Sequence, residues 1–349
     1  MKRLKYLLVY TLPITVYISF NTEGAMTFIP FIVFFGFVPL LELFLKPDAS
    51  NFDKETATAE KNNPIYDWVM YLALPVQLGM LVYFLFIIQD TTFGTIEFFG
   101  RVSAMGLMCG VLGINVGHEL GHRLNRKEQL IGEILLLTSL DTHFLPYHNG
   151  GHHRDVATPN DAATAKKNQI LFTFWFTSHF GSYFKAWQLE NARLRQQGKS
   201  PFSLQNRMII YSFANIALLS LIFYFFGTHV LLAFIGASIL GIMLLETVNY
   251  IEHYGLMRKK TEAGTYERVK HHHSWNSDHP IGRLLLFNLS RHSDHHYNGS
   301  KKYAVLKSVP QSPQMPTGYP GMMVLALFQP FWFVLMNRKL KKLQQLQAV

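Results

Sequence analysis

Cysteine is nearly missing from this chain: Cys109 is the only one in 349 residues. One cysteine cannot close an intramolecular disulfide, nor build a thiolate zinc or iron–sulfur site. Charge is also scarce. Asp, Glu, Lys and Arg make up 15% of the residues, against about 25% in ordinary soluble domains. Acidic residues are the scarcer sign, 22 against 32 Lys and Arg, for a formal net charge of +10. There is no internal repeat and no low-complexity linker. What fills the chain instead is apolar: 49% hydrophobic residues, with 29 Phe and 16 Tyr, alongside 16 His. That balance excludes a disordered chain, a disulfide scaffold and a coiled coil.

Crossing about 30 Å of hydrocarbon takes about 20 apolar residues. Six runs qualify, at about 5–22, 26–45, 66–88, 98–117, 208–226 and 229–250. No small-residue cleavage site precedes the second run, so the first is read as a span and not a signal peptide. Shorter apolar stretches at 130–146 and 321–336 suit an interfacial or buried setting. The aromatic-rich stretch 170–187 suits an amphipathic helix on the membrane surface. The polar stretch 48–63 reads as a mobile loop. Pro310, Pro313, Pro316 and Pro320 keep 308–321 from being a regular helix.

The loops 21–25, 89–97 and 227–228 contain no Lys or Arg. Lys2, Arg3 and Lys5, then Lys46, Lys54 and Lys61, then the parts 118–207 and 251–349 carry every cation but Arg101. Six spans with both termini on the positive, cytoplasmic side fit this distribution. The +10 is therefore a sign of topology. A nucleic-acid surface would need a basic face with stacking aromatics or a known motif, and neither is present.

The histidines fall into four groups, all on the positive side. His118-Glu119-Leu120-Gly121-His122 closes the fourth span. His148-Asn149-Gly150-Gly151-His152-His153 is the second group. Asn249-Tyr250-Ile251-Glu252-His253-Tyr254-Gly255-Leu256 closes the sixth span. Arg291-His292-Ser293-Asp294-His295-His296 is the fourth group. Histidines three or four apart share a helix face. On a helical wheel Asn115, His118, Glu119 and His122 lie on one face of the fourth span. Gly106, Gly110, Gly113, Gly117 and Gly121 lie on the opposite one, a close-packing surface. Glu246, Asn249 and His253 share a face of the sixth span. Their polar groups suit holding metal ligands from behind. His143, His179, His229 and His279 read as structural or interfacial, and His271-His272-His273 as a loop feature. Glu42, at a membrane edge, suits either a functional role or a helix–helix hydrogen bond.

HELGH is formally the HExxH of zinc proteases, with Glu as general base. Catalytic zinc takes three protein ligands, whereas the four groups offer nine imidazoles, enough for two metal ions. An all-nitrogen donor set suits iron, copper or zinc. Two irons would offer O2 activation beside apolar spans. A transporter would place polar residues near the bilayer midplane, where these spans are apolar.

Taken together, these stretches resemble the AlkB family of integral-membrane alkane monooxygenases. That family belongs with the membrane fatty acid desaturases and hydroxylases in one histidine-rich di-iron superfamily. HELGHR at 118–123 resembles the first histidine box. HNGGHHRDVATPNDAATA at 148–165 resembles the second with its tail. NYIEHYGL at 249–256 resembles the HYG motif, HSWNSDH at 273–279 the stretch C-terminal to that motif, and RHSDHH at 291–296 the last box. Pro39-Leu40-Leu41-Glu42 resembles the inner end of the second span, with Glu for the usual Asp. The likeness runs from about 35 to 325. Tyr147 and Gly150 depart from the usual Glu and Arg of the second box.

The resemblance implies an all-α integral-membrane fold, a single domain over 1–349 in which six transmembrane helices carry a cytoplasmic helical cap with the di-iron site. It implies two non-haem Fe ions on His118, His122, His148, His152, His153, His253, His292, His295 and His296. Glu119, Glu246, Asn249, Glu252 and Asp294 are the candidates for supporting them. The implied reaction is O2-dependent hydroxylation of a terminal methyl group, giving a 1-alkanol. An acyl-lipid desaturase or hydroxylase and a methylarene (xylene-type) monooxygenase share the boxes and stay open. The chain has no C-x-x-C, so electrons are expected from a separate rubredoxin-type donor served by an NADH-dependent reductase. The implied location is the bacterial cytoplasmic (inner) membrane, with membrane lipid as a further partner.

Overall fold

The structure is a computed structural model that describes residues 3–347; Lys2, counted above among the cations flanking the first span, lies outside them. Among the described residues the regular elements are helices, with isolated bridges Lys260–Tyr266 and Asn276–Gln314 but no strand. Four helices among the described residues are long and apolar enough to cross a membrane: Gly24–Phe44, Pro64–Gln89, Ile96–Gly121 and Arg207–His253. The first apolar run forms Leu4–Phe20, which is shorter. Arg207–His253 has 47 residues, about 70 Å if straight, and covers both of the last two apolar runs. It is not straight. Gly227 sits at φ 77° and ψ −177°, a backbone region open essentially to glycine alone. The helix therefore breaks where the sequence has its shortest uncharged loop.

By packing, the chain forms two compact units, each assembled from three stretches. The first comprises Met1–Phe34, Asn63–Gly150 and Tyr183–Leu245. Its centre is Ile96–Gly121, two-thirds buried (67%) where the other spans are mostly exposed. The glycine stripe does pack closely, but against two neighbours. A Cβ on Gly106 would meet Leu240 at 2.6 Å, while one on Gly113 would collide with Ser139 Oγ and one on Gly117 would meet the Gly132 carbonyl at 3.1 Å. Between them Cys109–Asn115 is a π-helix, whose wider turn rotates the helical turns beyond it. The stretch 130–146 lies inside: Leu135 and Leu136 are fully buried, on a helix Arg126–Leu137 capped by Asn125. Arg101, the lone cation away from the others in sequence, donates to Thr91 Oγ1 at 2.6 Å and to the Thr22 carbonyl at 3.2 Å. It thus bonds residues at the ends of two other helices.

The second unit comprises Phe35–Asn62, Gly151–Ser182 and Glu246–Val349. Here the expectation of a mobile loop over 48–63 fails. Lys54–Lys61 is a helix, capped by the Asp53 carboxylate on the Thr56 amide. The residues before it are held by two buried arginines. Arg283 donates to the Asp48 carbonyl and carboxylate, both at 2.7 Å. Arg291 donates to the Ser50 carbonyl at 2.9 Å and the Leu306 carbonyl at 2.7 Å. Burial raises the Asp48 pKa, but hydrogen bonds from Ser50 and Arg283 outweigh it and hold the carboxyl well below its usual range. Glu42 is fully buried, and its Oε1 accepts from the Gly282 amide at 2.7 Å. That capping bond realises the hydrogen-bond alternative for Glu42. The proline-rich stretch is irregular until Tyr319–Leu327, where Pro320 lies in the first turn and needs no donor.

Gly255 of the HYG motif has φ 70°, and its amide donates to the Ala165 carbonyl at 2.8 Å. A Cβ there would collide with Leu340 Cδ1. Gly255→Ala should destabilise by about 2–4 kcal/mol, adding left-handed strain to overpacking. Its thermal unfolding midpoint should fall by several degrees. Leu340→Ala in the same chain should recover the overpacking part, and a Gly255→Ala protein as stable as the original would refute the close approach.

Candidate metal centre

In the first unit the imidazoles converge at the end of the central helix. His118 and His122 bring their Nε2 atoms to 3.1 Å. The His148 ring lies 4.4 Å from His118 and 5.0 Å from His122, centre to centre. Phe144 stacks on His148 at 4.5 Å and meets His118 edge-on, fixing both ring planes. The Asn149 amide donates to the Gly121 carbonyl at 3.0 Å, which ties the second box to the first. Glu119 does not stand as a free base. It pairs with Arg123 at 3.0 Å, and Arg123 also meets Asp67 at 3.2 Å. That arrangement gives no support to HExxH protease chemistry.

In the second unit four imidazoles form a closed cluster. His296 Nε2 lies 2.8 Å from His292 Nε2 and 3.2 Å from His152 Nε2, and His292 Nε2 lies 3.1 Å from His253 Nε2. All four rings are buried. The His153 ring meets that of His295 edge-on at 4.8 Å and lies tilted against that of His296 at 4.6 Å. Burial first, and neighbouring imidazoles second, push His295 and His296 far below the usual histidine pKa. Both are therefore neutral near pH 7 and keep a lone pair to donate.

Convergent lone pairs repel unless a cation lies among them. Four nitrogens at 2.0–2.1 Å from one ion would stand about 3.3 Å apart, close to the spacing seen. The tautomer fits as well. His152 Nδ1 lies 2.9 Å from Asp161 Oδ2, and Asp161 also accepts from Thr164 Oγ1 at 2.6 Å. With its proton held on Nδ1, His152 presents a bare Nε2 to the cluster. The donor set thus suits a metal held by imidazole nitrogen alone. Cys109 is buried elsewhere, beside the Thr138 carbonyl.

Sequence reasoning did not single out Asp161, although it lies in the tail of the second box. Its spacing of nine from His152 has no helical meaning, so only the fold brings it there. Glu252, a candidate support, reaches the cluster directly: its Oε2 is 3.1 Å from His292 Nε2. Asn249 donates to Glu246 at 3.1 Å, so these two candidates pair with each other. Asp294 accepts from Lys301 and from the Lys307 amide. His143 meets Asp141 at 3.2 Å, His229 donates to the Ile88 carbonyl at 2.9 Å, and His279 meets Ser277 at 3.1 Å. His271–His273 is a single 3-10 turn, and His273 Nδ1 accepts from the Lys270 amide at 2.9 Å.

The family profile described as "Fatty acid desaturase" matches residues 95–325, which includes all four histidine groups. An "Alkane 1-monooxygenase 1" of Pseudomonas aeruginosa is 39% identical over 312 residues, 89% of this chain and 82% of that protein. The chain belongs to the alkane 1-monooxygenase family. A further member, "Alkane 1-monooxygenase 1" of Alcanivorax borkumensis, is 37% identical over 86% of this chain and 74% of its own. The "Xylene/toluene monooxygenase hydroxylase component XylM" of Pseudomonas putida is 29% identical over 80% of this chain and 76% of its own. Family membership and the buried imidazoles together fit a non-haem di-iron site. An apolar substrate, O2 and a redox partner go with that class of enzyme.

Proposed function

We propose that this protein is an alkane 1-monooxygenase that hydroxylates a terminal methyl group with O2, with electrons from a rubredoxin-type donor and its NADH-dependent reductase. The observation that carries the reading is the closed cluster of four buried Nε2 atoms, with Asp161 behind His152, in a chain of this family. One iron would be held by His152, His253, His292 and His296. His118, His122 and His148 in the first unit, and His153 and His295 in the second, are the further imidazoles that would serve as iron ligands. Bound iron supplies the activation of O2 and the cleavage of the C–H bond. The chain's own residues do the rest. Asp161 fixes a tautomer, Phe144 fixes two ring planes, and Glu252 brings a carboxylate to the edge of the cluster. Glu119, Glu246, Asn249 and Asp294 hold the surrounding segments. Water is kept out by burial, which strengthens every polar contact inside.

The whole chain works as one membrane-embedded domain. Leu4–Phe20 and the two halves of Arg207–His253 complete six spans, and Gly227 makes the turn between the last two. The termini and the metal site face the cytoplasm, on the side that carries the cations, in the bacterial inner membrane. Substrate enters from the bilayer. Terminal selectivity would require an apolar path that ends at the histidine clusters, since internal C–H bonds are weaker and would otherwise react first. The basic cytoplasmic surface attracts an acidic electron donor.

The test is to feed octane, hexadecane and p-xylene to cells expressing this chain with a rubredoxin system. A 1-alkanol from either alkane is expected. Product from p-xylene alone would favour the methylarene reading, and product from acyl lipids alone the desaturase or hydroxylase reading.

A further inference from the structure

The C-terminal helix Gln329–Gln347 has a buried stripe and a very different opposite one. Trp332, Met336 and Leu340 are buried, with Trp332 5.3 Å from both Tyr250 and Tyr254. On another face, Phe331, Val334, Arg338 and Lys341 recur at helical spacing, and Phe331, Val334 and Lys341 are exposed. Beside them runs a groove of about 500 Å³, lined by Lys167, Phe333, Val334, Asn337, Arg338 and Lys341.

The charge here is one-sided. Residues 295–349 contain Lys301, Lys302, Lys307, Arg338, Lys339, Lys341 and Lys342, and no Asp or Glu; 162–189 also lacks acids. Among the described residues, Lys167, Arg338 and Lys341 have no carboxylate partner. We propose that this groove binds the headgroup phosphate of an anionic phospholipid, with an acyl chain lying over Val334, Phe331 and the exposed Phe328. Cations at one end of a helix face and bare aromatic and aliphatic side chains at the other match a lipid, charged at its head and apolar below. An acidic soluble protein would satisfy the cations and leave Phe328 and Phe331 in water.

The groove is wired to the metal cluster. Asn337 donates to Asn168 Oδ1 at 2.8 Å and accepts from the Tyr254 hydroxyl at 3.1 Å. That hydroxyl in turn accepts from the Asn168 amide at 3.0 Å. Tyr254 is the next residue after His253 in sequence. A lipid seated on Lys167 and Arg338 therefore braces the residues that aim His253.

The experiment uses the full chain in mixed-lipid nanodiscs, with spin-labelled phosphatidylglycerol and phosphatidylcholine as probes. The original protein should immobilise the anionic probe preferentially. Lys167→Gln, Arg338→Gln and Lys341→Gln together should cut that preference by at least fivefold, the effect of a single basic residue beside an anionic leaflet at about 1 kcal/mol. A control with Lys54→Gln, Lys61→Gln and Lys199→Gln, the same loss of charge elsewhere, should keep it. Anionic lipid should also raise the unfolding temperature of the iron-free original protein more than that of the groove variant. The proposal fails if the groove variant keeps its preference, or if the control loses it equally. It also fails if millimolar inorganic phosphate displaces the lipid probe, which would make this a free-phosphate site. Slower electron delivery from an acidic donor with lipid preference intact would make the groove a protein dock and overturn the assignment.

Discussion

Replacing His292 with alanine should remove about one iron per chain and abolish most hydroxylation. His292 is the most connected member of the cluster. Its Nε2 lies 2.8 Å from that of His296, 3.1 Å from that of His253 and 3.1 Å from Glu252 Oε2. Deleting it takes a donor from the middle of the set, so the remaining three cannot close around an ion. The loss should exceed the roughly 10–100-fold that outer partners of a metal usually cost. Metal analysis of the purified protein and product formation from octane give the two readouts. His279→Ala is the matched control, because His279 is buried and bonded to Ser277, and it should keep both irons. A His292→Ala protein with two irons and full activity would remove the cluster from the mechanism.

The second large effect is expected at Asp161. Asp161→Ala leaves the Nδ1–H of His152 with no acceptor and frees the ring to take the other tautomer. Metal affinity should fall about 10–100-fold, measured by chelator competition on the purified protein, with the helical content unchanged. Asp161→Asn should fall between, because its amide oxygen can still accept from Nδ1. If Asp161→Ala holds metal as tightly as the original chain, the carboxylate is structural and serves Thr164 instead.

Much of this architecture was legible in the order of residues. Apolar runs locate the long helices, because a bilayer sets a length that few soluble helices need. The four histidine groups are visible because helical spacing is local. What the sequence hides is non-local or depends on a change of helical type. The π-helix Cys109–Asn115 divides the glycine stripe between two neighbours, which a regular wheel cannot show. The stretch 48–63 looks mobile by composition, yet its carbonyls satisfy Arg283 and Arg291 from more than 230 residues away. Asp161 meets His152 only because the chain turns back between them. Glu119 and Asp294 sit beside ligand candidates in sequence but pair with Arg123 and Lys301. Adjacency along the chain is a poor guide to what a carboxylate touches.

The buried bond from Glu42 to the Gly282 amide spans 240 positions. At synthesis rates of about 5–20 residues per second, the amide emerges roughly 10–50 s after the carboxylate. Glu42 must therefore enter the membrane early and wait without its cap. Three of the four clustered histidines, His253, His292 and His296, arrive in that same late stretch. The C-terminal third thus completes two things at once, the capping of an early span and the cluster of imidazoles. A chain released before Gly282 would therefore carry an uncapped buried carboxylate as well as an incomplete histidine cluster.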